Sequence, residues 1–184
     1  MKKFILVFSA TLLVSFLSAQ KVVNNNLEDT VIKSTNAKTH TIDDSFNAIA
    51  QLLNSKAFVI EANTITDKWG NQQMVNSNLN FIRVDSLQST IQIGNGIGIG
   101  PNGVGGVTVE GSISSWKLVK DEKHKSFSLR MNVSTPLSFY DVFISANTSG
   151  YATATVSGMT SNNLTFRGQL VPLEDSKIYV GSHL

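Results

Sequence analysis

From Ala57 almost to the C-terminus, apolar residues recur at every second position in short runs separated by turn-forming residues. The first run is Ala57-Phe58-Val59-Ile60-Glu61-Ala62-Asn63, and others follow at 79–87, 89–93, 107–118, 126–133, 139–147, 151–157, 164–171 and 177–180. A period of two is the side-chain repeat of a strand, and so many short runs joined by turns predict antiparallel pairing. The turns carry the expected chemistry at Trp69-Gly70-Asn71, Pro101-Asn102-Gly103, Thr148-Ser149-Gly150 and Ser161-Asn162-Asn163. The fold is therefore read as mainly β, a single antiparallel β-barrel or barrel-like sandwich of eight or nine strands.

Two segments before Ala57 follow other rules. Lys2 and Lys3 precede an apolar run from Phe4 to Leu17 that ends in Ser18 and Ala19, the pattern of a cleaved secretory signal peptide over residues 1–19. Residues 20–41 are polar and aperiodic and are read as a flexible lead-in, leaving 42–184 as one β-rich domain. At the start of that domain Phe46, Ile49, Ala50 and Leu53 recur at helical spacing. Asp43 and Asp44 stand where a helix N-terminus favours anions, and Lys56 lies just past the other end, so one N-terminal amphipathic helix is expected.

Charge and composition then narrow the function classes. Loss of residues 1–19 removes two of 15 basic residues and none of 13 acidic ones, so the mature chain is formally neutral. A nucleic-acid binder needs a basic footprint, which this chain lacks. No cysteine is present, which rules out disulfides, thiolate metal centres and a lipid-modified cysteine. The expectation is a periplasmic or secreted protein with no membrane span once the signal is removed.

Alternation assigns faces. Phe127, Leu129, Met131 and Val133 point one way and Arg130 the other; Val107, Val109 and Ile113 point inward, with Thr108 and Glu110 outward. Phe58, Ile60 and Ala62 likewise oppose Val59 and Glu61, so Glu61, Glu110 and Arg130 are read as solvated surface charges. Residues 139–147 break the rule: Tyr140, Val142 and Ile144 fill one face, yet Phe139 and Phe143 make the other apolar too. The stripe of the helix is the expected cover for that outer face, and a partner protein is the alternative.

Seven of the 13 glycines lie between Gly94 and Gly106, including a formal G-x-G-x-x-G at Gly98, Gly100 and Gly103. That fingerprint needs a following helix to receive a pyrophosphate, and Val107-Thr108-Val109-Glu110 is strand, so no nucleotide cofactor is inferred. The stretch is read as a loop or hairpin tip, with Gly100, Asn102, Gly103, Gly105 and Gly106 as a candidate ligand or partner loop. Trp69 joins them, either anchoring a partner or folding its ring over the end of the core, the latter being preferred. Lys117, Lys120, Lys123, His124 and Lys125 surround Asp121 and Glu122 in what reads as a solvated hairpin tip. His40, His124 and His183 are scattered, no nucleophile elbow is present, and neither catalytic nor metal-binding residues are assigned.

Taken in order, several of these segments resemble the bacterial exported family known as domain of unknown function 4251. They are Phe58-Val59-Ile60-Glu61-Ala62, Asn80-Phe81-Ile82-Arg83-Val84, the run from Pro101 through Val104-Gly105-Gly106 to Gly111, Gly150-Tyr151-Ala152-Thr153-Ala154-Thr155-Val156, and Gly168-Gln169-Leu170-Val171-Pro172-Leu173. The resemblance implies a secreted or periplasmic domain with a barrel-like fold and supplies no activity. Architecture suggests a non-enzymatic, lipocalin-like carrier closing around a small apolar or amphipathic ligand, with the glycine loop and Trp69 near its mouth. A protein-interaction or structural module of the cell envelope is the second expectation.

Overall fold

The structure, a computed structural model, describes residues 41–96, 100–136, 138–158 and 163–182. The expected signal peptide, the lead-in up to His40, residues 97–99 of the glycine stretch and His183 lie outside the described residues. Helix α1 covers 41–55, so Thr41, assigned to the lead-in, is already helical. The strands are β1 (Ala57–Thr66), β2 (Gln72–Met74), β3 (Phe81–Asp85), β4 (Gln88–Ile93), β5 (Val107–Asp121), β6 (Ser126–Ser134), β7 (Phe139–Asn147), β8 (Tyr151–Ser157) and β9 (Asn163–Pro172).

Eight of these strands close into an antiparallel barrel in the order β1-β3-β4-β5-β6-β7-β8-β9, with β9 pairing back onto β1. Closure decides between barrel and sandwich and removes the sheet edges. The ninth, β2, is a short extra strand on the far end of β1, where Thr64, Ile65 and Thr66 face Met74, Gln73 and Gln72. The seam between β1 and β9 contains a bulge between Ala62 and Thr64, opposite Gly168. A Cβ at Gly168 would stand 1.9 Å from the Glu61 carbonyl oxygen, so glycine lets the two backbones close there.

Inward-facing residues fill the barrel. Phe58, Ile60, Leu129, Met131, Ile144 and Phe166 are buried in one continuous core. At one end α1 closes the barrel: Phe46 packs on Phe127 with ring centroids 4.7 Å apart, and Leu53 is completely buried. The ammonium groups of Lys120 and Lys125 sit 4.6 and 4.8 Å from the centroid of the Phe46 ring. The charged tip between β5 and β6 is thus also a clasp on the helix.

Two expectations are corrected here. The stripe of α1 packs on the interior end of the barrel, because Phe46 and Leu53 gain a fully enclosed site there. It does not cover the outer face of β7, where Phe139 is 62% and Phe143 41% exposed. Residues 177–180 do not form a strand. Instead the chain from the short 3-10 turn Leu173–Asp175 onward crosses the outside of the barrel as an extended strap.

The strap runs along an outward-facing row formed by cross-strand partners Glu61, Phe81, Gln92 and Thr108. Glu61 accepts from the Ser176 hydroxyl at 2.6 Å and the Lys177 N–H at 3.1 Å, so it is a strap anchor and not simply a solvated charge. Further along, Tyr179 N–H donates to the Asn78 carbonyl and Ser182 N–H to the Asn102 carbonyl. Under this cover Val59, Phe81, Gln92 and Thr108 have no exposed surface although all four point away from the lumen.

Candidate functional site

The barrel end opposite α1 remains open. There the ends of β1 and β4 and the start of β9 bring Ile65, Ile93 and Leu164 together as the floor of a cleft of about 620 Å³. Along one bank runs the outgoing arm of the β1–β2 hairpin, with Gln72, Gln73, Met74 and Val75; the other bank includes Gly94, Asn95 and Gly105. Side-chain amides dominate the rim. Asp67 supplies the only ionisable side chain among the lining residues.

That carboxylate is occupied by its own turn. One Asp67 oxygen accepts the N–H groups of Trp69 and Asn71, both at 2.9 Å, and the other accepts the Asn71 side-chain amide at 2.8 Å. These bonds favour the ionised form and hold the Asp67 carboxyl below its ordinary value, with the Asn71 side chain the largest cause. The Asp67 backbone completes the turn by bonding Asn71 and Gly70. Trp69 therefore projects from a tightly tied turn and is 76% exposed. Its ring does not fold over the core as expected; the turn aims it at solvent, with the Lys68 ammonium 4.6 Å from its centroid.

The glycine loop is built around Asn102. Its side chain is buried, donates to the Ile93 carbonyl at 3.0 Å and to the Thr108 hydroxyl at 3.2 Å, and accepts from the N–H groups of Val104 and Gly106. Gly100, Gly103 and Gly105 adopt left-handed φ values of 137°, 73° and 82°. Of the sequence-nominated loop residues, Gly105 reaches the cleft, whereas Asn102 holds the loop and receives the strap. The loop and the Trp69 turn do share one barrel end.

Phe139 and Phe143 occupy a different surface, the outer face of β7. The Arg130 guanidinium lies 5.7 Å from the Phe143 centroid, and Asn132 bonds both Ser115 and Asp141 beside it. At the opposite end, Asp121 accepts the His124 N–H and ring nitrogen, and the backbone bond from His124 is the first cause of its lowered pKa. Among the described residues, no group of three or more His, Asp or Glu side chains is placed to hold a metal ion, and no helix is long and apolar enough to cross a membrane.

Residues 40–170 match the family model described as "Domain of unknown function (DUF4251)". The chain belongs to the DUF4251 family. A DUF4251 family protein from Bacteroides eggerthii DSM 20697, known from its crystal structure, is similar at 32% identity. The similarity covers 72% of this chain and 90% of that one, with a TM-score of 0.60. No curated protein matches.

For this DUF4251 domain, sequence reasoning missed the residues that form the cleft. Ile65, Ile93 and Leu164 look like ordinary strand residues, and only barrel closure brings their three strand ends together. The Gln72-Gln73-Met74 strand was also missed, because three exposed residues carry no alternation. The usable signal was the pair of turns flanking the cleft, at Trp69-Gly70-Asn71 and around Gly105.

Proposed function

We propose that this DUF4251 domain is a non-enzymatic binder of a small amphipathic molecule, held in the cleft at the open barrel end. The observation that carries the reading is the cleft's chemistry: an apolar floor of Ile65, Ile93 and Leu164 beneath a rim of amides including Asn71, Gln73, Asn76 and Asn95. Amides donate and accept without charge, and the one carboxylate nearby is committed to its turn. A ligand with an apolar body and a neutral polar end fits that arrangement. The lumen itself is packed by Phe58, Leu129, Met131 and Phe166, so the bound molecule lies at the mouth and the barrel does not close around it.

Export to the periplasm belongs to the same proposal and rests on the Lys2-Lys3 start and the apolar run that follows. A second reading, an envelope interaction module, draws on the exposure of Phe139 and Phe143.

Titration with the uncharged amphipathic dye 6-propionyl-2-dimethylaminonaphthalene, followed by amide NMR shifts, separates the two. The cleft reading expects one saturable site with shifts at Gln72–Met74, Gly94 and Asn95, and roughly tenfold weaker binding in Met74→Asp, the effect of losing one or two buried methylene groups and adding a charge. Shifts confined to β7, abolished by Phe139→Ala with Phe143→Ala, would overturn it in favour of the second reading.

A further inference from the structure

We infer that the cleft takes a short extended peptide, which pairs with the free edge of β2 and sends one apolar side chain onto the floor of Ile65, Ile93 and Leu164. The inference rests on the cleft reading for where a ligand sits, and adds the chemical class of that ligand.

The direction of the β2 backbone carries it. Asp67 N–H donates to the Asn71 carbonyl and Val75 N–H to the Asn63 carbonyl, both at 3.0 Å. Residues 71 and 75 therefore aim these main-chain groups at β1, and Gln73 between them, the cross-strand partner of Ile65, does the same. Alternation along an antiparallel ladder turns the N–H and C=O of Gln72 and Met74 the other way. Among the described residues β2 pairs with β1 alone, and no hydrogen bond reaches those four groups.

That free edge is what faces the cleft. Gln72, Gln73, Met74, Val75 and Asn76 all line it, whereas a strand presenting a face contributes every second residue. The opposite bank is closed to the same kind of pairing at Gly94. Its N–H donates to the Asn80 side-chain oxygen at 3.1 Å, and its carbonyl accepts from the Asn80 side-chain amide at 2.8 Å. A guest backbone is thus held along β2. The edge is also unguarded, since Gln72-Gln73-Met74 carries neither the charge nor the proline that keeps other edges from pairing.

Register then defines the guest. In an added strand, the residues bonded to Gln72 and Met74 point outward with those side chains. The residue between them lies beside Gln73, on the inward face shared with Ile65, which packs against the core. One apolar side chain is set over the floor, and the amides flanking it supply the uncharged polar part.

The test is titration of the isotope-labelled protein, purified from its own cells, with the capped peptide acetyl-Thr-Ser-Leu-Ser-Thr-amide, read by amide hydrogen exchange. Exchange at Gln72 and Met74 should slow roughly tenfold or more at saturation, while exchange at Gln73, already bonded to β1, stays unchanged. Replacing the peptide's Leu by Ser should weaken binding roughly tenfold, and so should N-methylation of both its Ser residues. Met74→Pro removes one outward donor and leaves the β1 ladder intact, a position where an edge strand tolerates proline, and should weaken binding by roughly the same factor. Unchanged exchange at Gln72 and Met74, or equal affinity for the N-methylated peptide, would overturn the inference. So would concentration-dependent association of the protein alone that Met74→Pro abolishes, because a second copy would then occupy the edge. Binding of the uncharged dye in the cleft with no protection of Gln72 and Met74 by the peptide removes the peptide class and leaves the cleft reading standing; absence of both removes each.

Discussion

The side-chain amide of Gln92 donates to the carbonyl of Tyr179 at 2.8 Å, although the two residues lie on elements that share no strand pairing. The same nitrogen reaches the Leu79 carbonyl at 3.1 Å, and the Gln92 oxygen accepts from Gly181 N–H and the Thr108 hydroxyl, both at 2.8 Å. A buried amide with all these partners does what a backbone ladder does elsewhere: it satisfies a segment that has no strand to pair with.

Gln92→Leu keeps the volume but strands the Gly181 N–H and the Thr108 hydroxyl beneath the strap. Denaturant unfolding should show a loss of about 2 kcal/mol, the scale of buried groups left without partners. Amide exchange at 176–182 should rise more than exchange in β6 and β7, because the strap is released first.

Phe46→Ala removes the ring that packs on Phe127 and lies beneath the Lys120 and Lys125 ammonium groups. A loss of about 3–4 kcal/mol is expected from cavity formation at a buried aromatic. Far-UV circular dichroism should show reduced helix while the β signal persists, with the chemical denaturation midpoint lowered.

At the barrel seam, Gly168→Ala would place a methyl group 1.9 Å from the Glu61 carbonyl oxygen. Either the Ala62 bulge shifts or the β1–β9 pairing opens, costing about 3 kcal/mol. Gly70→Ala, with nothing within 4 Å of its Cβ but a φ of 87°, should cost only about 1 kcal/mol. The contrast between the two midpoints tests barrel closure.

The Asp67 turn should depend on pH with a defined sign. Its folded-state pKa lies below the ordinary 3.8, chiefly through the Asn71 side-chain amide. The stabilisation is therefore complete above the ordinary value and is lost as pH falls through the lowered one. Amide shifts of Trp69 and Asn71 should stay constant from neutrality to about pH 5 and move only in stronger acid. Asn71→Ala should bring that midpoint back up toward the ordinary carboxylate value.

The strands were legible because most have one face on the core and one outside, which prints alternation directly: β7 and β8 were bounded to the residue. The face of a residue was legible as well, but its exposure was not. Val59, Phe81 and Thr108 point outward as alternation requires, yet they are buried, because a strap with no periodicity covers them. The helix was recognised and its partner misassigned, since Phe139 and Phe143 advertised an apolar face while the barrel end that α1 closes, around Phe127, left no local trace. For the site, the turn at Trp69 was visible but the ring's direction depends on Asp67, five bonds of which are spent within the turn.

We propose that the cleft floored by Ile65, Ile93 and Leu164 holds a small amphipathic molecule. Native mass spectrometry of the protein purified from its own cells, followed by organic extraction, tests it most directly. The account predicts a stoichiometric adduct with an apolar body and an uncharged polar end, lost in Met74→Asp and retained in Phe143→Ala. A homogeneous mass with no adduct, or an adduct indifferent to Met74→Asp, would contradict it.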